Sequence, residues 1–278
     1  VWFVQTSGGL DGLSARVAAV RPDAIAIPSL ETTSNALSIV LLVALGAMSY
    51  PHAIQRIFAA RSAEALQRAM GWMGILSFFM TATITLIGVA AIPFLENLGP
   101  LEADQVLPRL LDAWAQHSAF SPYFAVLVFV AALAAIMSTA DSVLLSLSSV
   151  AVRDLGNSAG TKERDGVRAT RSGKRLALVV MGATTLLALE PRLTLWRLLE
   201  LKMELLIQCA PALVIASRGW CVAPRAIFWG ICIGTLSGLG LILSGASLVY
   251  GVHAGTIGFG INVSAVAVLT CVARRRGR

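Results

Sequence analysis

Charge is scarce in this sequence. Only 13% of its 278 residues are Asp, Glu, Lys or Arg, about half the share of an ordinary soluble domain. So few charges cannot cover a water-facing surface, which excludes a soluble globular enzyme and a disordered tail. Cysteine is sparse too. The 4 cysteines (Cys209, Cys221, Cys232, Cys271) show no CxxC spacing, which removes a disulfide scaffold and a zinc site and leaves small buried apolar residues as the reading. The 3 histidines stand isolated, so no haem or zinc pair arises. No HExxH, GxSxG, GxxxxGK[ST] or GxGxxG pattern occurs, and nothing points to an enzyme. The last apolar run holds no lysine, unlike a retinal-binding seven-helix protein.

What the sequence has instead is apolar length. Hydrophobic residues make up 56% of it and the mean hydropathy is +0.77. A helix needs about 20 mostly apolar residues to cross the hydrocarbon layer. Charge-free runs lie between Glu31 and Arg56, Arg68 and Glu96, and Asp112 and Asp141, with shorter gaps from Arg175 to Glu190 and Glu204 to Arg218. The run from Arg225 to Arg274 is long enough for two spans and breaks near Ser247–Gly255. The expected helices are 34–59, 69–95, 118–152, 174–190, 194–217, 225–246 and 253–273. The fifth is crowded by Arg197, Glu200, Lys202 and Glu204, with Glu200 and Glu204 placed at the outer interface. Lipid forbids unpaired backbone and no alternating barrel strands occur, so the class is an all-α polytopic membrane helix bundle.

The net charge of +7 could signal nucleic acid or a membrane face, and its distribution decides. Sixteen of the 22 Lys+Arg fall in the links after the first, third and fifth spans and in the tail 274–278. That side is cytoplasmic by the positive-inside rule, and nucleic acid drops out as a partner in favour of the lipid bilayer. The arrangement makes the protein multi-pass in the plasma (inner) membrane, with the C-terminus cytoplasmic. Residues 1–33, with Gly8, Gly9, Pro22 and Pro28, read as an extracytoplasmic loop without a signal peptide. An outside N-terminus of that kind implies that further sequence precedes Val1.

Two stretches carry polar groups into the spans. In Ala131–Asp154, Ala135, Ser138, Thr139 and Ser142 fall at i, i+3, i+4 and i+7 and share one helix face, which Ser146 and Ser149 extend. Asp141 is a carboxylate inside a span, costing about 2.5–3.5 kcal/mol on insertion scales. Hydroxyls and a carbonyl suit a hard cation such as Na⁺; the same residues at the same spacing also serve as glue between helices. In the first span, Gly46, Ser49, Tyr50, Pro51 and His52 interrupt the apolar run. Pro51 removes a backbone donor. The break either lines a solute site, with Tyr50 and His52 as polar handles, or is a simple kink. Gln208, before Pro211, either contacts a ligand or bonds across helices.

The segments YPHAIQRIFAARSAEALQRA, AALAAIMSTADSVLLSLSSVAVRDL and LIQCAPALVIA resemble the sodium:solute symporter family. The middle segment is the most specific of the three. The resemblance implies a five-plus-five inverted-repeat fold of the leucine-transporter type, worked by alternating access, of which this chain looks like the last seven of about thirteen helices. It also implies symport of a small organic solute with Na⁺ as coupling ion. Carried over, the Ala135 carbonyl and the Ser138 and Thr139 hydroxyls form half of a sodium site, its other ligands coming from a helix outside this chain. Asp141 and Ser142 match positions of a second sodium in some members. Tyr50, Pro51 and Gln208 fall where members touch substrate. Proline carriers place aromatics one and two turns before the PH pair; here those positions hold Ala47 and Val43, which leaves the solute open. The rival readings are a membrane sensory module of a signalling protein and a transport-incompetent fragment.

Overall fold

The computed structural model describes residues 5–24, 26–94, 100–116, 120–156, 166–189 and 194–276. The expected helix start at 118, the helix end at Glu190 and the tail residues 277–278 lie outside them, as do Lys162 and Arg164 of the basic link. The described chain is helical apart from one two-stranded hairpin. It divides into two compact units, residues 1–26 with 55–194 and residues 27–54 with 195–278.

In the first unit, α1 (Gly9–Val20) lies within the stretch expected to be a loop. Leu13 and Val17, one turn apart, bury against Ala90 with Ile92 beside them; that apolar pair is enough to make the segment a docked helix. Just past it, Arg21 pairs with Asp23 at 3.2 Å and holds the exposed Asp23 carboxyl below its usual range. α2 (Leu30–Ala47) and α3 (Pro51–Phe58) follow, with the boundary between units falling after Ile54. α4 (Ala63–Ala91) starts on a Ser62 cap whose hydroxyl accepts from the Ala65 amide at 3.1 Å. α5 (Val106–Ala115) is short and amphipathic. It packs on α6 (Ser121–Gly156), where the Trp114 and Phe124 rings meet edge to face at 5.2 Å. α7 (Gly166–Ala188) runs back along α6.

In the second unit, α2 packs on α8 (Leu195–Leu206) through Leu42, Met203 and Ile207. Its N-terminus is capped by Ser29, which accepts from the Thr32 amide. A 3₁₀ turn (Ile207–Cys209) separates α8 from α9 (Ala210–Ser217), and α10 (Pro224–Leu243) and α11 (Ala254–Arg276) form the most extensive helix pair. Between them stands a hairpin, β1 (Leu248–Val249) and β2 (Val252–His253), paired Leu248 with His253 and Val249 with Val252. Its turn residues Tyr250 and Gly251 both have positive φ, 51° and 78°. That combination gives a two-residue loop the twist its strands need.

Among the described residues, five helices are long and apolar enough to cross a membrane: Leu30–Ala47, Ala63–Phe94, Ser121–Val150, Pro224–Leu243 and Ala254–Arg275. The stretches expected at 174–190 and 194–217 fall short of that length and composition. The first belongs to a helix that begins among basic residues, and the second is divided by its 3₁₀ turn. The expected helix 34–59 is divided too, between Ala47 and Pro51. The cysteines correct their reading: Cys209 in the 3₁₀ turn, Cys221 in the link before α10 and Cys271 on α11 are exposed, and Cys232 on α10 is half-buried.

Glycines set the α10–α11 spacing. Gly230, Gly234 and Gly238 recur at four-residue steps and are buried. A methyl on Gly234 would stand 2.6 Å from Asn262 Cβ and 2.7 Å from the Gly258 carbonyl. Small residues let helices approach closely where lipid supplies no hydrophobic drive. Gly234→Ala is therefore expected to destabilise the protein by about 1–3 kcal/mol. Gly240→Ala, which meets open space, is the control and leaves the midpoint in place; thermal unfolding in detergent reads both.

Candidate functional site

A membrane-embedded hydroxyl needs a partner, and along α6 it takes the carbonyl one turn back. Thr139 donates to the Ala135 carbonyl at 2.9 Å, and Ser142 to the Ser138 carbonyl at 3.0 Å. Ser146 lies 2.8 Å from the Ser142 carbonyl. Toward the end of the stripe, α3 covers it. Ser146 also lies 2.8 Å from Gln55 Oε1, Gln55 Nε2 donates to Ser149 Oγ at 3.0 Å, and Arg56 reaches Ser142 Oγ at 3.5 Å.

The stripe therefore has two parts. Ser146 is buried at 3% exposure and works as interhelical glue. Ala135, Ser138 and Thr139 are exposed, with no helix over them among the described residues. Asp141 is exposed and enters no ion pair there. The Ala135 carbonyl and Thr139 hydroxyl oxygens, 2.9 Å apart, are close enough to share one hard cation, whose oxygen ligands sit at about 2.3–2.6 Å.

The second unit gathers the remaining expected residues. α2 ends at Ala47 by tightening: the Ser49 amide donates to the Gly46 carbonyl and the Tyr50 amide to the Ala47 carbonyl. Pro51 has no amide hydrogen to continue the ladder. The Tyr50 carbonyl then accepts from the Ala53 and Ile54 amides and starts α3. The Tyr50 ring packs beside Leu42 and Met203, stacks 4.9 Å from the His52 ring and carries Lys202 Nζ 5.2 Å over its face. Pro51 is exposed.

Gln208 is 1% exposed, and its amide is spent inside the protein. Nε2 donates to the Gly255 carbonyl at 2.9 Å, while Asn262 Nδ2 donates to the Gln208 carbonyl at 2.8 Å. Pro211 has no amide hydrogen for the Ile207 carbonyl, which accepts instead from Ala210 in a 3₁₀ bond. The second break is thus held by the Asn262 side chain and the Gly255 carbonyl, both from α11.

Three residues of this network escape a reading of the sequence. Glu204, expected at the outer interface, is 3% exposed and points inward. Its Oε1 lies 3.3 Å from His253 Nδ1, and His253 Nε2 lies 3.1 Å from Asn35 Oδ1. His253 is therefore not isolated. Asn262, wholly buried, stands unmarked in an apolar run; only its polarity there could have flagged it. Near these helices, a hollow of about 430 Å³ is lined by Leu45, Pro211, Trp220 and Phe259, with Thr270 and Arg274 its chief polar groups. It offers a polar solute few partners.

A family model described as the sodium:solute symporter family matches residues 1–234. The high-affinity proline transporter PutP of Bacillus subtilis (strain 168) is 29% identical over 249 residues, 87% of this chain and 50% of that protein. The chain spans about half the length of this curated relative. No solved structure matches.

Asn262→Ala leaves the Gln208 carbonyl buried without its donor. It is expected to cost about 1–3 kcal/mol, read as a lower unfolding midpoint in detergent.

Proposed function

The chain belongs to the sodium:solute symporter family, and from that premise we propose that it is the C-terminal part of a sodium-coupled secondary transporter for a small organic solute. It is a multi-pass membrane protein of apolar helices, and transport rather than catalysis is the business of its family and of its relative. The finer reading follows the residues. Na⁺ binds α6 through the Ala135 carbonyl and the Ser138 and Thr139 hydroxyls, its other ligands coming from a helix outside this chain. Asp141 and Ser142 supply a second cation position one turn on. Solute binds at the break between α2 and α3, where Tyr50 and His52 offer an aromatic face and polar atoms and Pro51 keeps the helix open. Gln208, with its amide fully engaged, shapes this region rather than touching solute.

The observation that carries the proposal is the exposed oxygen pair of Ala135 and Thr139, 2.9 Å apart. Exposed pairs of the same kind occur at Thr83 and Ser264; the α6 pair differs in having Ser138, Asp141 and Ser142 beside it. Bound Na⁺ favours the outward-facing state by binding it more tightly, and only that difference in affinity shifts the equilibrium. Closing outside and opening inside then releases ion and solute into the cytoplasm, on the side of the basic links and the C-terminus. Proline is the solute named for the Bacillus relative. Ala47 and Val43 precede the break here, so we assign no particular solute.

The test needs no known solute. Unfolding of the full-length protein is measured in sodium chloride and in choline chloride. Sodium is expected to raise the midpoint, by about 2.7 kcal/mol in stability at a hundredfold excess over Kd. Ser138→Ala combined with Thr139→Ala abolishes the difference while leaving the choline midpoint near that of the parent. An undiminished sodium effect in the double variant rejects these ligands.

A further inference from the structure

We propose that Glu204 and His253 bind one proton between them, forming a proton site inside the second unit that does not depend on the sodium reading. The argument begins with burial. The two side chains are 1% and 2% exposed. Glu204 Oε1 faces His253 Nδ1, and Glu204 Oε2 has no hydrogen-bond partner. An ionised carboxylate in an apolar bundle, with one oxygen unpartnered, is among the costliest groups a protein can bury.

The far side of the imidazole bears on the proton count. His253 Nε2 lies 3.1 Å from Asn35 Oδ1; with the amide turned this way the oxygen only accepts, and Nε2 carries a hydrogen. Nδ1 then has two options. If it is bare, Glu204 must be protonated in order to donate to it. If it is protonated, an imidazolium faces a carboxylate. Both contain one proton more than an ionised glutamate beside a neutral histidine. The remaining arrangement sets a carboxylate lone pair against a nitrogen lone pair, which repel.

The ring is held in place for this role. The His253 amide donates to Ser38 Oγ at 3.0 Å, and Ser38 bonds Thr256 at 2.9 Å. The Tyr250–Gly251 turn anchors the hairpin that carries the histidine. The elements packed around the pair hold few other charges. α2 carries Glu31, and α8 carries Arg197, Glu200 and Lys202. α10 and α11 carry only Arg225 at one end and Arg274, Arg275 and Arg276 at the other. Arg197 pairs with Glu200 at 2.8 Å, and Lys202 sits over the Tyr50 ring. The proton joins α8, α2 and the hairpin, and its loss puts a bare charge among them.

Nuclear magnetic resonance of the full-length protein, ¹⁵N-labelled at histidine and reconstituted in lipid vesicles, reads the proton directly. His52→Gln and His117→Gln strip away the other histidine signals of this chain, and the signal lost in His253→Gln is assigned to His253. At neutral pH the proposal requires His253 either as the Nε2–H tautomer or as imidazolium. A neutral Nδ1–H tautomer means an ionised Glu204 without the extra proton, and overturns it. The side-chain carboxyl ¹³C shift of Glu204, assigned by its loss in Glu204→Gln, is the second arm. The proposal requires either a protonated carboxyl beside a neutral imidazole or a carboxylate beside imidazolium; a carboxylate beside a neutral His253 overturns it.

Discussion

A hydroxyl in a helix surrounded by hydrocarbon has few partners, and the carbonyl one turn back on its own helix is always within reach. α6 depends on that bond at Thr139, Ser142 and Ser146. At those three positions it lets a hydroxyl sit in an apolar layer without leaving its donor unmet. It also holds a hydroxyl oxygen and a carbonyl oxygen side by side. Where another helix covers the pair, as Gln55 covers Ser146, the result is adhesion. Where nothing among the described residues covers it, as at Ala135 and Thr139, the oxygen pair is left open, and there we propose that a cation binds.

The second unit meets the demand for satisfied backbone differently. Pro51 and Pro211 each remove a donor. At Pro51 the chain turns with its own amides, and the Tyr50 carbonyl begins the next helix. At Pro211 the freed region borrows from α11: Asn262 donates to the Gln208 carbonyl and Gln208 donates to Gly255. That exchange demands close approach, which the glycines of α10 and α11 permit. At Pro211 the break, the small residues and the buried amides are parts of one arrangement.

Much of this was legible in the amino-acid order. Charge-free runs marked the long helices, because in lipid length and apolarity are nearly the whole requirement. The break at Pro51 was legible because proline lacks the hydrogen a helix needs there. α1 was not, since Gly8, Gly9 and Pro22 flag a loop while only Leu13 and Val17 argue for a docked face. Glu204 misled for a physical reason. Beside Arg197, Glu200 and Lys202 it looks like one more interfacial charge, and its partner His253 lies 49 residues on. Nor could spacing alone tell a covered hydroxyl from an open one. Ser138 and Ser146 lie on one face, and only cover by α3 distinguishes them.

The most direct test of the cation reading is equilibrium binding of radioactive sodium to the purified full-length protein, compared with Thr139→Val, which trades the hydroxyl for a methyl of similar size. The account predicts saturable binding in the parent and a loss of at least tenfold in affinity in the variant. Equal binding by the two proteins would mean that the α6 hydroxyls serve adhesion alone.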